Sequence, residues 1–386
     1  MKKLFCLNNI SKIGLQVRPN HYDVTADINE ADAVLVRSAS MHEMALPKET
    51  LAVARAGAGV NNIPLDEYAR KGVVVFNTPG ANANAVKELT IAGMFLAARN
   101  LYPAMQWVSN NTHDTDIAKT VEKAKSQFAG TEIIGKTIGV YGMGAIGIAV
   151  AKACQALGMT VYTAERNFES KKQEAGLYPK TMIAAKSKEE FFGNCDYISL
   201  NLALSPDTKG FINKEVFGLM KDGAILLNFA RAALVNDTDL KEALESKKLR
   251  AYVTDFPTYE TANTEGVINI PHLGASTEEA EDNCAMMAVN QLVDFIDNGN
   301  IINSVNYPNL DAGPKTEAYR LTILHANLEQ LQDEVLRAIH KHGKVARTVT
   351  NQYKELAYTV VDLSSFEQEQ IANLEKLEGV YRIRLI

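Results

Sequence analysis

Short apolar runs alternate with amphipathic stretches along this chain, and that alternation predicts its architecture. Within residues 1–97, LFCL (4–7), DVTAD (23–27), AVLVRS (33–38) and GVVVFNTPG (72–80) each read as a strand. ETLAVARAGAGVNNI (49–63) runs from a helix or strand into a glycine-bearing loop. Strands this apolar, interleaved with helical patterns, imply a parallel sheet covered on both faces. KELTIAGMFLAAR (87–99) is apolar around most of its circumference and predicts a long helix buried on several sides.

The rhythm then repeats. Ile138–Tyr141 and Thr160–Thr163 read as strands flanking a helix from Ile148 to Leu157. CDYISLNLAL (195–204), GAILLNFAR (223–231), RAYVTDFPTYE (250–260) and GVINIPHLG (266–274) follow as buried strands, and EEAEDNCAMMAVNQLVDFIDN (278–298) as a second long helix. The turn-rich stretch Tyr307–Pro314 marks a boundary. Beyond it the pattern is βαββαβ: strand 320–327, helix 328–343, strands 345–353 and 356–363, helix 365–379 and strand 380–386. Such a module suits either subunit pairing or the binding of a regulatory ligand. The expected fold class is α/β, with two parallel sheets and a small α+β domain at the C-terminus.

Composition narrows the class. The 386 residues are 46% hydrophobic and 22% charged, with a net charge of −6, which leaves no electrostatic footprint for nucleic acid or an anionic membrane. Four scattered cysteines (Cys6, Cys154, Cys195, Cys284) show neither a CxxC pair nor metal-ligand spacing, so no metal is expected and a reducing, cytoplasmic location is. No apolar run is long enough to span a bilayer, and the N-terminal stretch lacks the apolar core of a signal peptide.

Gly142-Met143-Gly144-Ala145-Ile146-Gly147 separates the strand at 138–141 from its helix, and Glu165 ends the next strand. Strand, GxGxxG, helix, strand and acid, in this order, make a dinucleotide-binding unit. Gly142 permits the tight turn, Gly144 lets the backbone approach a diphosphate, and Gly147 lets helix and strand pack closely. The helix N-terminus offers its N–H groups to the phosphates. Glu165 suits the hydroxyls of an adenosine ribose and disfavours a 2′-phosphate, so NAD is the expected cofactor.

Arg231, Asp255, Glu260 and His272 fall where strands end, which is where open parallel sheets bind ligands. A histidine oriented by a glutamate can exchange a proton near neutral pH, and an arginine can hold a carboxylate and polarise its neighbouring carbonyl. Each residue alone has an ordinary reading, as a loop histidine, a strand cap or a solvated acid. In the first lobe, Gly57–Asn62 could cup an anion with backbone N–H groups, and Arg37-Ser38 could hold a second anionic group.

These segments together resemble the D-2-hydroxyacid dehydrogenase family, most closely its D-3-phosphoglycerate dehydrogenases. The family's NTARGGLVDE segment corresponds to Asn228–Asp237, its DVFxxEP segment to Asp255–Glu260, its TPHxGxST segment to Ile270–Thr277 and its GRAGxGVDNID loop to Ala54–Ile63. The stretch VFNTPGANANAVKEL (75–89) matches a bacterial-type branch. The resemblance implies catalytic roles for Arg231, Glu260 and His272, with Glu260 as the partner of His272. It implies an NAD site from Gly142, Gly144, Ala145, Ile146, Gly147, Glu165, Leu202, Ala230, Asp255 and Gly274, and a substrate site from Arg37, Ser38, Ala58, Gly59, Val60 and Asn82.

It implies three domains: a flavodoxin-like substrate-binding domain (1–97 and 282–306), an NAD-binding domain with a Rossmann-type doubly wound parallel sheet (98–281) and a small α+β, ACT-like regulatory or assembly domain (316–386). The implied reaction is NAD-dependent oxidation of 3-phospho-D-glycerate to 3-phosphohydroxypyruvate, in L-serine biosynthesis, by a homodimer or homotetramer. The rivals are a hydroxypyruvate or glyoxylate reductase and a non-catalytic, NADH-sensing corepressor. ACT domains of this family often bind L-serine, but their NRPGVL junction appears here as Asn327-Leu328-Glu329-Gln330-Leu331, without proline or glycine. Serine feedback is therefore expected to be weak or absent.

Overall fold

The computed structural model describes residues 1–164, 178–179 and 181–386. They form two compact units, one from 1–82 with 278–386 and the other from 83–277. In the first, strands β1 (Lys2–Cys6), β2 (Tyr22–Thr25), β3 (Ala33–Val36), β4 (Ala52–Arg55) and β5 (Val74–Phe76) form a parallel sheet in the order 2-1-3-4-5. This is the flavodoxin-like order, and its direction reverses between β1 and β3. Helix Glu278–Asn298 packs over it, burying Ala285, Ala288, Leu292 and Phe295 against Leu4, Leu35 and Phe76.

The second unit holds β6 (Thr137–Tyr141), β7 (Thr160–Thr163), β8 (Ile183–Ala184), β9 (Tyr197–Leu200), β10 (Ala224–Asn228), β11 (Leu249–Thr254) and β12 (Val267–Asn269), all parallel, in the order 12-11-10-9-6-7-8. Its order reverses between β6 and β9. Helix Ala83–Ala98, expected from residue 87 to 99 as a long helix buried on several sides, packs within this unit: a Cβ on Gly93 would lie 2.7 Å from Phe229 Cζ and 3.0 Å from Val253 Cγ1. Helices Leu101–Asn110 and Ile117–Ala124 follow it in a region that carried no element in the sequence reading, and neither buries a residue fully.

The C-terminal segment forms a four-stranded antiparallel sheet from β13 (Tyr319–Ala326), β14 (Gly343–Tyr353), β15 (Leu356–Phe366) and β16 (Val380–Leu385), in the order 14-15-13-16. Helix Glu329–His342 covers one face, burying Leu331, Val335 and Ile339. The expected helix over 365–379 is mostly absent. Ser365 and Phe366 instead pair with Lys344 and Gly343 to extend β15, leaving a 3₁₀ turn at Gln368–Gln370 and one α-turn at Ile371–Leu374.

The other face of that sheet is built into the first unit. Leu324, Tyr358 and Val360 belong to the same core as Phe295 and Ile296. The turn-rich stretch read as a boundary is part of it too, with Tyr307, Leu310 and Ala312 buried. Arg384 donates to the carbonyls of Phe295 (3.0 Å) and Ile296 (2.6 Å), and Tyr358 to that of Gly299 (2.5 Å). Arg320, buried and bidentate with Asp362 (2.6 and 3.0 Å), also donates to the carbonyls of Asn298 and Gly313, each at 2.7 Å. The last carbonyls of a helix have no partner within it. Here the C-terminal sheet supplies those partners to helix Glu278–Asn298, so it is no tethered module.

Candidate active site

In the second unit the glycine turn sits at the switch between β6 and β9. Gly142 has φ +97°, and a Cβ there would lie 2.6 Å from the Asn201 carbonyl oxygen and 3.3 Å from Leu202 Cδ2. Only glycine adopts this conformation without strain. At Gly147 a Cβ would collide with the Gly142 carbonyl, whereas at Gly144 it would meet nothing within 4 Å. Turn and packing are thus tight, and open space lies over the N-terminus of helix Ala145–Ala156, whose first residues are Ala145 and Ile146. That combination fits a dinucleotide diphosphate. Glu165, expected on the ribose, lies outside the described residues.

The loop after β10 is shaped by buried Asn228. Its Oδ1 accepts from the N–H groups of Ala230 (3.2 Å) and Arg231 (3.3 Å), and its Nδ2 donates to the Arg231 carbonyl and to Tyr252 Oη, both at 2.9 Å. Arg231 Nη1 donates to the Ala230 carbonyl at 2.6 Å, and its Cζ lies 5.6 Å from the centre of the Phe256 ring. The same ring lies 4.5 Å, centre to centre, from the imidazole of His272. Phe256, which sequence reasoning passed over, is therefore the shared neighbour of the two residues; its position directly after Asp255 was the available signal.

Asp255 follows β11 and is 1% exposed. One carboxylate oxygen accepts from the Gly274 N–H at 2.9 Å, and the other is buried without a hydrogen-bond partner. Burial pushes this carboxyl above the usual carboxylate range, opposed by the Gly274 N–H and by the charges of His272 and Arg231. An orphaned buried acceptor beside the glycine turn's sheet ends fits a ligand amide donor such as a nicotinamide carboxamide.

Glu260, expected as the partner of His272, lies in the segment that follows β11. The Thr258–Thr261 capping box starts a single helical turn, Tyr259–Ala262, with Thr258 further tied to Asp237 at 3.0 Å. Glu260 and His272 are both exposed, and no hydrogen bond joins them among the described residues. Catalytic hydrogen bonds often tighten only with substrate bound.

In the first unit, Arg37 and Ser38 follow β3 at that sheet's switch point. Asn8, at the end of β1, accepts from the Arg37 N–H at 2.9 Å and donates to Ser38 Oγ at 3.2 Å. Arg55, ending β4, donates from Nε to the Arg37 carbonyl at 2.9 Å, so a second guanidinium belongs to this neighbourhood. Asn77 pins the glycine loop through the Ala58 carbonyl (2.6 Å), and Thr78 through that of Gly57 (3.1 Å), holding Ala58, Gly59 and Val60 in place. Asn82 Oδ1 is buried without a partner, as a ligand-facing acceptor would be. Asn8 and Arg55 were missed because nothing in their local sequence distinguishes a strand-end residue that touches its neighbour.

Residues 91–275 match the family described as D-isomer specific 2-hydroxyacid dehydrogenase, NAD binding domain. The chain is 30% identical over 366 residues to a D-3-phosphoglycerate dehydrogenase of Methanocaldococcus jannaschii, covering 92% of this chain and 66% of that one. It is 28% identical over 355 residues to the enzyme of that name from Haemophilus influenzae (89% and 82% covered). The chain spans about half the length of several other curated relatives with the same name. Among solved structures, NAD+-bound 3-phosphoglycerate dehydrogenase from Entamoeba histolytica superposes with a TM-score of 0.63 at 26% identity, over 80% of this chain and 99% of that one. The glycine turn, the two parallel sheets and these likenesses agree that the chain belongs to the D-2-hydroxyacid dehydrogenase family and carries its NAD-binding domain.

Proposed function

We propose that the protein oxidises 3-phospho-D-glycerate to 3-phosphohydroxypyruvate with NAD, as its relatives' names suggest. The observation that carries this reading is the gathering of Arg231, Asp255 and His272 about Phe256 at the ends of neighbouring strands. NAD, when bound, supplies the hydride acceptor. His272 takes the proton of the substrate hydroxyl in oxidation and returns it in reduction, and Arg231 holds the carboxylate and the adjacent oxygen. The unpaired oxygen of Asp255 receives the cofactor's amide and orients its ring. Within the first unit, the glycine-loop amides and Asn82 suit a carboxylate, and Arg37 with Ser38 suits a phosphate.

The test is NADH oxidation measured with 3-phosphohydroxypyruvate, hydroxypyruvate and glyoxylate at equal concentrations. The highest kcat/KM is expected with the phosphorylated acid, and His272→Ala should lose at least about a hundredfold in kcat. A preference for an unphosphorylated acid would make the protein a reductase of the glyoxylate type. No turnover with any of them, together with tight NADH binding, would make it a nucleotide sensor.

The same reading makes it a homodimer or homotetramer, which light scattering on the eluting protein would measure. Asn327 is retained from the family's NRPGVL junction and donates to the Lys354 carbonyl at 3.0 Å, but the junction lacks the glycine that would let an amino acid approach the backbone, which supports an assembly role for the C-terminal domain over serine sensing. Micromolar L-serine binding by calorimetry would overturn that part.

A further inference from the structure

The first turn of helix Glu278–Asn298 brings a carboxylate to where the first sheet gathers its positive charge. Glu281 Oε1 lies 2.7 Å from Arg37 Nη2, with the two side chains 37% and 34% exposed. Cys284, one turn along the same helix, has Arg55, Arg37 and Glu281 as its charged surroundings, so all three charges share one neighbourhood. Neither partner of the pair is carried on a loose segment. The main chain of Arg37 is held by Asn8 and by Arg55. The helical turn bearing Glu281 is held by a hydrogen bond from Ser11 to Asp282 and by Gly14 packed directly on Ala285.

An ion pair this exposed contributes little net free energy, because water solvates both charges well when they part. It can therefore be displaced. A phosphoryl group offers a guanidinium more charge and more acceptor oxygens than one carboxylate does. When a substrate without such a group binds, the pair stays closed and Arg37 keeps its partner. When a phosphorylated substrate binds, Glu281 has to give way, and part of what the phosphate gains is returned.

The geometry points to Glu281 as a specificity-determining residue: an internal competitor for Arg37 that limits how strongly a distal phosphate on the substrate is rewarded. This rests on the reading of Arg37 as the residue that meets the substrate's phosphate.

Two measurements on the full-length protein test it. In Glu281→Gln, the KM for 3-phosphohydroxypyruvate should fall about two- to fivefold relative to that for hydroxypyruvate, which differs only in the phosphate. Inorganic phosphate, titrated calorimetrically without any turnover, should bind tighter by a similar factor. Both effects should vanish in an Arg37→Ala background, and Glu281→Ala should reproduce them should the glutamine variant melt abnormally. A KM for the phosphorylated acid that rises, equal shifts for the two acids, or a gain in phosphate affinity that survives loss of Arg37 would each overturn the proposal. Tighter phosphate binding in a protein that never turns over 3-phosphohydroxypyruvate would uphold the competitor and discard the assigned substrate.

Discussion

Asp255 places one carboxylate oxygen 2.9 Å from the amide nitrogen of Gly274 and keeps the other buried and unpaired. Because burial raises this carboxyl, the folded chain binds its proton more tightly than the unfolded chain does. Stability contributed by this group therefore falls as pH rises from the ordinary carboxylate value through its raised one. Asp255→Asn removes the charge while keeping an acceptor for Gly274. Its melting temperature should vary less between pH 4 and pH 7 than that of the wild type, and at pH 7 it should be at least as stable. Its affinity for NADH, by fluorescence titration, should fall by about tenfold or more, the worth of one charge-assisted hydrogen bond.

The glycines of the turn separate folding from binding. Gly147→Ala drives a methyl into the Gly142 carbonyl and should cost about 1–3 kcal/mol or more, read by urea unfolding. Gly144→Ala meets no protein atom and should stay within about 0.5 kcal/mol of wild type. Its methyl nevertheless occupies the space over the helix N-terminus, so NADH binding should weaken by at least about tenfold.

Arg320 and Asp362 form a buried pair whose side chains are 1% and 6% exposed. Removing either partner leaves an uncompensated buried charge, so Arg320→Leu and Asp362→Leu should each cost about 3–5 kcal/mol. The double variant should cost less than the sum. It should not return to wild type, because the carbonyls of Asn298 and Gly313 lose their donor as well. Equilibrium unfolding of the three variants would show whether the first sheet and the C-terminal sheet melt together.

His325 is buried, set between the Ala326 carbonyl at Nδ1 (2.8 Å) and Thr359 Oγ1 at Nε2 (2.9 Å). Burial holds its pKa below the ordinary 6.5. The unfolded chain thus takes up a proton first, and stability present above about pH 6.5 is lost as pH falls below it. His325→Gln should flatten the melting profile between pH 6.5 and pH 5.

Arg37→Ala should raise the KM for 3-phosphohydroxypyruvate by about tenfold or more, and that for glyoxylate by less than about twofold. Steady-state kinetics with both acids would decide it. Equal effects would remove Arg37 from the role assigned to it.

What could be read from the chain alone followed from local rules. A fully buried parallel strand must be apolar along its whole length, so the runs at 33–38, 138–141 and 223–231 announced themselves, and the helix over 278–298 has the bounds its pattern predicted. Gly142, Gly144 and Gly147 stood out because backbone conformation and close approach restrict those positions to one residue type. With strands alternating with helices and chemistry at strand ends, Arg231, Asp255, Glu260 and His272 read as a group in the sequence.

Only the tertiary structure decided which side chains touch. Phe256 meeting both Arg231 and His272, Asn8 and Arg55 holding Arg37, and Glu281 pairing with it all join segments far apart in the chain, and no local pattern encodes them. The C-terminal sheet shows this most plainly. Its alternating strands were readable as an antiparallel module, but the covering of its second face was not. An apolar Leu324, Tyr358 or Val360 reads the same in sequence whether water, another subunit or this chain's own helix end lies against it. Burial is a property of what a residue meets after folding, and only the folded chain supplies the partner.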